Sequence, residues 1–358
     1  MAEKAGAARR TAGGSTGGSG REATDPPARG SAPRTGETVD LSAARARKGS
    51  RPKSASGLAV TSQVPSQAEA DPAPPAASTG YTKKTIALVY DFDGTLSPRP
   101  MQEYSFLPQL GIDAKTFWDE CTRVAREAGA DPLITYMHLM YKKAREKGLK
   151  VDRDDLIRQG ASVELYPGVL DWFQEIERYV GLRAETPGIA IRHYLVSSGL
   201  AEIIEGTPIR GHFHNVFASE YWFEAYETPF PKRVITDTGK TQYLFRINKG
   251  IEDQSQSING HMPEDERPIP FPNMIYFGDG ETDVPSMALM KKSGGHAIAV
   301  HTPGGSAEKC EDLFRAGRVD FYAGADYRRG SDLFRRTCLI LDKILADIRV
   351  REEMWSLG

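Results

Sequence analysis

The twelve residues TIALVY-DFDGTL, from Thr85 to Leu96, decide the fold. Their first half is a continuous and mostly apolar run, which predicts a strand that is buried on both faces, as in a parallel sheet. Their second half follows directly with two carboxylates, Asp91 and Asp93, and with Gly94, which permits a tight turn. Ligands of open parallel sheets bind beyond the carboxyl ends of the strands, so this turn is a candidate binding site.

Three further apolar runs predict strands at 189–196, 274–277 and 297–300. Each is followed by a polar or glycine-containing turn and then by a helical pattern of apolar residues. Strands that alternate with helices indicate an α/β fold with a mainly parallel sheet. A weaker pattern of aromatic and β-branched residues predicts a hairpin within 216–236, and the polar, proline-rich stretch 252–272 predicts a mobile loop.

About ninety residues separate the first two strands, and their apolar spacing is helical. The pattern predicts one helix over 117–128 and a second over 133–144, with Asp131 as its N-cap. A third helix is predicted to begin at Val169 and to end at Gly181. A helical insert of this length predicts a small domain of its own. The last helix is predicted to begin near Ser331.

Composition divides the chain at about residue 80. Residues 1–80 contain no Phe, Tyr, Trp or Ile, so this segment cannot bury enough apolar surface to offset its ordering entropy, and we expect a disordered tail. Its basic cluster at 45–53 is compatible with a weak contact to an anionic partner, although a solvated tail is the favoured interpretation. The length of 358 residues is typical of about two domains.

The charge balance and the cysteines exclude several classes of protein. A net charge of −2 argues against a whole-chain nucleic-acid binder, and the chain has no apolar stretch long enough for a membrane span. Three widely spaced cysteines form no CxxC motif, so neither a disulfide framework nor a zinc site is expected. The sequence begins without an apolar signal region, and we expect a cytoplasmic protein.

A second pair of carboxylates follows the predicted strand 274–277, in the stretch Gly278-Asp-Gly-Glu-Thr-Asp283. This stretch fails as a dinucleotide fingerprint, because Asp283 stands where a GxGxxG motif requires its last glycine. Ser197 and Ser198 follow the predicted strand 189–196, where hydroxyls and free N–H groups suit a phosphoryl oxygen. As isolated features, the serines suit an N-cap better than a phosphate site.

Lysine and histidine residues are the remaining candidates for a functional site. Lys240 opens a predicted helix, but it does not belong to a phosphate-binding P-loop, because Val234 stands where that motif requires its first glycine. His212 and His214 have a spacing that could ligate a metal, yet no third ligand is evident, and a structural role is favoured. His193 lies within a predicted strand and is interpreted as a hydrogen-bonded core histidine.

Together, these segments resemble the haloacid dehalogenase superfamily of phosphotransferases, over roughly residues 84–345. The stretch from Asp91 to Leu96 matches the family's first motif, DxDGT, and Ser197 matches the Ser/Thr of the second. Lys240 is our choice for the third-motif lysine, ahead of Lys249 and Lys232, and the stretch from Gly278 to Asp283 matches the fourth motif, GDxxxD.

The resemblance implies a Rossmann-like three-layer core, built from residues 81–98 and 167–350, with a helical cap of the family's first type at 99–166. The region before Lys240 is similar to the phosphoserine-phosphatase branch, although serine specificity is not carried over. The implied activity is that of a Mg²⁺-dependent phosphatase that acts on a small phosphorylated metabolite. A phosphomutase, or a catalytically quiet binding module recruited through the tail, is the alternative.

The resemblance also implies a role for each matched residue. Asp91 is the expected nucleophile, which forms an aspartyl-phosphate, and Asp93 is the expected general acid and base. Asp283 supports Lys240 or a metal-bound water. Aspartate at position 93 favours phosphate esters over carbon–halogen or carbon–phosphorus bonds, because it can protonate an alkoxide. The expected Mg²⁺ ligands are Asp91, the Asp93 backbone carbonyl and Asp279; the expected phosphate contacts are Ser197, Ser198, Lys240, Gly94 and Thr95.

Overall fold

The structure is a computed structural model that describes residues 81–224 and 229–357. The predicted disordered tail, with its basic cluster at 45–53, lies outside the described residues. Within the described part of the chain, no helix is long and apolar enough to cross a membrane.

The described residues form a seven-stranded sheet in the order β4-β3-β2-β1-β5-β6-β7. All neighbouring strands are parallel except β3 and β4, which form the predicted hairpin. The α/β class predicted from the sequence is therefore confirmed. The strands are β1 (Thr85–Tyr90), β2 (Ala190–Leu200), β3 (Asn215–Trp222), β4 (Phe230–Arg233), β5 (Met274–Gly278), β6 (His296–His301) and β7 (Phe321–Gly324).

Ten α-helices connect and cover these strands within the described residues. The helix predicted to end at Gly181 continues to Arg183, because one glycine near a helix end costs only about 1 kcal/mol. The helices are α1 (Phe106–Leu110), α2 (Ala114–Ala128), α3 (Pro132–Glu146), α4 (Arg153–Gly160), α5 (Val169–Arg183), α6 (Ala201–Glu205), α7 (Lys240–Lys249), α8 (Val284–Lys292), α9 (Glu308–Arg315) and α10 (Asp332–Ser356).

Side chains of the central strand alternate between two apolar clusters, one on each face of the sheet. Ile86, Leu88 and Tyr90 enter the cluster that contains residues of α5 and α10. Ala87 and Val89 enter the cluster that contains residues of α7 and α8. Alternation along a strand sends successive side chains to opposite faces, so the core has three layers, with helices on both sides of the sheet.

Helices α1 to α4 occupy the predicted helical insert between β1 and α5. Asp131 caps α3 as expected, because its side chain accepts from the N–H groups of Leu133 and Ile134. At the far end of the insert, α4 meets α6 by backbone contact: a Cβ at Gly160 would lie 2.2 Å from the Ile203 carbonyl oxygen. The division into a core and a separate cap at 99–166 stays a prediction.

The polar loop 252–272 has no helix or strand before the short 3-10 turn at Phe271–Asn273, as its composition indicates. Two cations of α7 nevertheless bind its backbone. Nη1 of Arg246 donates to the carbonyls of Ile251, Asp253 and Gln256 at 3.0 to 3.2 Å. Nζ of Lys249 donates to two further carbonyls, at 2.7 and 2.8 Å. These anchors were not evident from the proline-rich composition that predicted a mobile loop.

His193 lies in the core of the sheet, as predicted, but only one of its nitrogens has a hydrogen-bond partner there. Its Nδ1 lies 3.0 Å from the Tyr90 hydroxyl, which also accepts from the indole N–H of Trp172 at 2.8 Å. Its Nε2 is buried and has no partner among the described residues. Burial lowers the pKa of His193 to about 3, and the charge of His212 adds to this effect.

His193 is therefore expected to contribute an acid-sensitive part of the stability. An unfolded histidine titrates near pH 6.5, so below that pH the unfolded chain binds a proton that the folded His193 does not bind. The contribution of His193 to the free energy of unfolding should fall as pH drops from 6.5 towards 3, by about 2 kcal/mol at pH 5. Buried carboxyls with raised pKa values, such as Asp91 and Asp279, act in the opposite direction, so the measurement is a difference between proteins. In urea unfolding, the difference between wild type and His193→Gln should change by about 2 kcal/mol from pH 7 to pH 5, and the difference between wild type and the exposed His261→Gln should not change; a His193→Gln difference that is independent of pH would contradict the prediction.

Candidate active site

Four sequence segments predicted to carry chemistry meet at the carboxyl end of the sheet. Asp91 and Asp93 follow β1, Ser197 lies near the end of β2, Asp279 follows β5, and Lys240 begins α7. These three strands are adjacent in the sheet, and β1 has neighbours on both sides that follow it in sequence, which is the topological position where open α/β sheets bind ligands. A cleft of about 390 Å³ opens here, lined by Asp91, Asp93, Leu133, Ser197, Ser198, Asp237, Lys240, Asp279, Gly280, Glu281, Thr282 and Lys309.

A buried lysine joins two of the aspartates. Nζ of Lys240 lies 2.9 Å from Oδ1 of Asp91 and 2.7 Å from Oδ1 of Asp283. All three side chains are almost completely removed from solvent. A buried ammonium between two carboxylates stays charged, and it fixes the orientation of one oxygen of each.

The two alternative lysines lie elsewhere. Nζ of Lys249 donates to the carbonyls of Ile258 and Gly260, and Nζ of Lys232 donates to Glu220 at 2.7 Å. Neither lines the cleft. Of the three candidates, the structure therefore brings only Lys240 to Asp91.

Asp283 is held by three donors from three parts of the chain. Its Oδ1 accepts from Lys240 and from the Tyr276 hydroxyl, the latter at 2.6 Å. Its Oδ2 accepts from the backbone N–H of Asp279 at 3.1 Å. A Cβ at Gly278 would lie 2.5 Å from the Asp283 carboxyl carbon, so only glycine allows this close approach. Asp283 thus supports Lys240 and the turn after β5.

Asp279 and the turn after β1 also fit closely together. Gly94 has a φ of +82°, and a Cβ on it would lie 2.2 Å from Oδ2 of Asp279. Glycine is required there both by the backbone conformation and by the space. The Asp279 carboxylate is consequently placed against the backbone that follows Asp91 and Asp93.

Asp93 is oriented by a backbone donor. Its Oδ1 accepts from the N–H of Met101 at 2.9 Å, and its Oδ2 lies near Gly199, where a Cβ would come within 3.1 Å of it. The hydrogen bond from Met101 lies at the beginning of the helical insert and is not evident from the sequence.

The clustered carboxylates shift one another's titration. Burial raises the pKa of Asp91 to about 6, against the opposing effect of Lys240. Burial also raises the pKa of Asp279 to about 8, and the charge of Asp91 adds to it. The pKa of Asp93 is raised well above its usual range, by burial and then by the charge of Asp91. One lysine thus faces four acidic groups, which favours binding of a cation.

The donor set fits a hard divalent cation. Asp91, Asp279 and Asp283 each offer a carboxylate oxygen, and these oxygens lie within 4.8 Å of one another. Both oxygens of Asp283 already accept hydrogen bonds, which leaves Asp91 and Asp279 as the carboxylate ligands. The backbone carbonyl of Asp93 accepts no hydrogen bond from the described residues. Mg²⁺ prefers such oxygen ligands together with several waters.

The predicted phosphate contacts differ in what they can offer. Ser197 is buried at the cleft, and its Oγ accepts from the Gly199 N–H at 3.0 Å, which leaves its hydroxyl proton for a ligand. The Ser198 hydroxyl donates instead to the Ile235 carbonyl at 2.7 Å. Ser198 therefore lines the cleft with its hydroxyl proton already engaged.

The backbone N–H groups of Gly94 and Thr95 form hydrogen bonds within the turn after β1. The Gly94 N–H donates to the Ser97 carbonyl at 2.7 Å, and the Thr95 N–H to the Phe92 carbonyl at 3.2 Å. Thr95 is completely buried, and its Oγ1 has no partner among the described residues. Because the turn after β1 closes on itself, neither residue presents a free N–H to the cleft, and their contact with a phosphate stays a prediction.

Sequence reasoning did not single out several residues of the cleft. Leu133 comes from the start of α3 in the helical insert, and Asp237 precedes α7. Lys309 lies 3.3 Å from Glu281 at the exposed rim. Tyr276 lies within an apolar strand, where an aromatic residue predicts only packing, so the sequence did not indicate a role for its hydroxyl.

The two histidines whose spacing could ligate a metal, His212 and His214, lie outside the cleft. His212 stacks on Phe173.

Comparison with known proteins gives relatives at low identity. No family model matches the chain. An uncharacterised protein of Borreliella burgdorferi is 29% identical over 286 residues, which are 74% of this chain and 98% of that protein. A HAD family hydrolase from Salmonella enterica serovar Typhi superposes with a TM-score of 0.46 at 16% identity, over 72% of this chain and 71% of that one. A substrate-bound phosphoserine phosphatase gives 0.44 at 14% identity, over 72% and 98%.

The solved structures that match this chain include HAD hydrolases and phosphoserine phosphatases. A phospho-aspartyl intermediate analogue of phosphoserine phosphatase is a further match, with a TM-score of 0.42 at 15% identity, over 72% of this chain and 98% of that one. At such low identities and TM-scores, these matches do not establish the chemistry of this chain, which depends on its own residues.

Proposed function

We propose that the protein is a phosphatase of the haloacid dehalogenase type, which hydrolyses a small phosphomonoester with the help of Mg²⁺. The observation that carries this proposal is the buried contact of Lys240 with Asp91, beside Asp93 and Asp279 in one cleft. A lone carboxylate near a lysine is common, but a carboxylate nucleophile needs a neighbouring acid and a positive charge that faces the phosphoryl group. This cleft supplies both, because Asp93 is the acid and Lys240 carries the positive charge.

Asp91 attacks the phosphorus atom with a carboxylate oxygen, and the bond from phosphorus to the substrate's alcohol oxygen breaks. Asp93 gives its proton to the departing alkoxide, so that an alcohol leaves and Asp91 carries the phosphoryl group. Its raised pKa supports this role, because the carboxyl group must hold a proton beforehand. Asp93 then takes a proton from the water that attacks phosphorus, and phosphate and the Asp91 carboxylate are released.

The remaining residues stabilise charge and position. Lys240 and the Ser197 hydroxyl donate to the phosphoryl oxygens, while Asp283 keeps Lys240 in place. Asp91, Asp279 and the Asp93 carbonyl would hold Mg²⁺, which when bound would neutralise charge on the phosphoryl oxygens. The cleft volume of about 390 Å³ lies in the range of small-molecule sites.

The direct test is phosphate release from a panel of small phosphomonoesters, measured with Mg²⁺ and with EDTA. We expect release from at least one ester with Mg²⁺, and a drop to background with EDTA, because four acidic groups then face one lysine without a second cation to offset the charge of the phosphate. Restoring Mg²⁺ should restore activity.

The same panel separates the alternatives. Phosphate release that is independent of divalent cations would contradict the metal role. Transfer of the phosphoryl group to a second position of the substrate, without net release of phosphate, would identify a mutase. No turnover of any ester by the folded protein would contradict the proposed function.

A further inference from the structure

The Tyr276 hydroxyl begins a buried chain of contacts that ends at the proposed nucleophile. It donates to Oδ1 of Asp283 at 2.6 Å, the same oxygen that Lys240 contacts at 2.7 Å. Lys240 in turn lies 2.9 Å from Asp91. Tyr276, Asp283 and Lys240 are each almost completely excluded from solvent, so water cannot replace a lost donor without rearrangement.

We propose that Tyr276 is a positioning residue for the reaction: by donating to Asp283, it fixes the carboxylate that sets the position of Lys240 relative to Asp91. This role rests on the proposed function. Tyr276 touches neither the substrate nor the phosphoryl group, and it acts only through Asp283.

The geometry explains why a hydroxyl is needed at this point. Tyr276 comes from β5, Asp279 from the turn after it and Lys240 from the start of α7, so three separate elements hold one carboxylate. Without the tyrosine, Oδ1 has only the lysine as its donor. The ammonium is then drawn towards Asp283 and away from Asp91, because the unsatisfied buried anion binds its remaining donor more strongly.

A second tyrosine of the same cluster provides a matched control. Tyr194, on β2, is as deeply buried as Tyr276, and it also donates to a carboxylate, that of Glu252 at 2.8 Å. Glu252 lies beside His214 and Asn215 and does not line the cleft. The two phenylalanine variants lose the same chemical group from the same apolar cluster, but only one of them loses it from the chain that leads to Asp91.

The experiment compares Tyr276→Phe with Tyr194→Phe, each measured for kcat, KM and unfolding in urea. Tyr276→Phe should lower kcat about tenfold, which corresponds to about 1.4 kcal/mol, with KM changed less than twofold. Tyr194→Phe should leave kcat and KM unchanged, and it is expected to lower stability less than Tyr276→Phe does, because Glu252 is partly exposed and water can replace the lost donor. A wild-type kcat in Tyr276→Phe, or equal kcat losses in the two variants, would overturn the proposal.

A double-mutant cycle tests the contact without using activity. In the wild-type background, Tyr276→Phe should reduce the folding equilibrium constant about tenfold; in the Asp283→Ala background, which has no side-chain acceptor, it should reduce it less than threefold. Equal reductions in both backgrounds would show that Tyr276 does not act through Asp283, and would overturn the proposal. If the Asp283→Ala proteins do not fold, the comparison of kcat still decides.

The two proposals fail in different ways. If the wild type hydrolyses esters and Tyr276→Phe is fully active, the positioning role is wrong, but the proposed phosphatase function stands. A wild-type protein that hydrolyses no ester would remove the proposed function and, with it, the catalytic role of Tyr276, even where the cycle shows coupling to Asp283.

Discussion

Asp91→Asn is expected to abolish phosphate release, with kcat lower by about 10⁴-fold or more, the scale seen when an enzyme loses its nucleophile. An amide of nearly the same shape cannot form the acyl phosphate, because it lacks the nucleophilic carboxylate oxygen. The exchange also removes one negative charge from a cluster in which a single lysine faces four acids. The variant should therefore fold.

The measurement is steady-state phosphate release, together with a trap for phosphorylated protein in denaturant. The wild type should yield an acid-stable, base-labile phosphoenzyme, and Asp91→Asn should yield none. Asp320→Asn is the control, because Asp320 is also ion-paired to a lysine, Lys291, but lies outside the cleft. An Asp91→Asn protein with more than a tenth of wild-type kcat would rule out Asp91 as the nucleophile.

Lys240→Met is expected to lower kcat by about 10³-fold, since it removes both a phosphoryl donor and the cation that orients Asp91. It also leaves two buried carboxylates without their common partner. Loss of one partner from a buried ion pair typically costs about 3 kcal/mol, so the free energy of unfolding should fall by about that amount. The loss of activity and the loss of stability both follow from removing one buried ammonium, which water cannot easily replace because Lys240 is almost completely buried.

Lys249→Met provides the comparison, because it removes an ammonium from the opposite end of the same helix, α7. Lys249 contacts only carbonyls of the loop 252–272 among the described residues. Its loss should weaken the loop and reduce stability while kcat stays within twofold of the wild type. Full activity in Lys240→Met, or loss of activity in Lys249→Met alone, would mean that Lys240 is not the third-motif lysine.

Much of the fold could be predicted because its signals are local. The run from Thr85 to Tyr90 is buried on both faces, and it forms a central parallel strand with the predicted bounds. The helix after Asp131 begins where its cap and proline indicate. The short edge strand β7 was missed, because four residues with partial burial give no clear alternation.

The candidate site was predictable where chemistry requires a fixed spacing, and not where it depends on packing. Asp91, Asp93, Asp279 and Asp283 lie in short motifs at strand ends, so their residue types and order indicated a site. Tyr276 has no such mark, because its hydroxyl matters only once α7 has brought Lys240 beside Asp283. The inward turn of Gly94 and Thr95 likewise depends on hydrogen bonds that the sequence does not specify.

The contact between α4 and α6 limits how the helical insert can move. A Cβ at Gly206 would lie 1.7 Å from the Ile157 carbonyl, and one at Gly160 would lie 2.2 Å from the Ile203 carbonyl. A joint formed by two backbones contains no flexible side chains that could absorb a translation. The insert is held at a second place as well, because the buried Tyr221 hydroxyl of β3 donates to the Met137 carbonyl of α3 at 2.7 Å. Any movement of α3 that takes Leu133 away from the cleft would have to break this hydrogen bond.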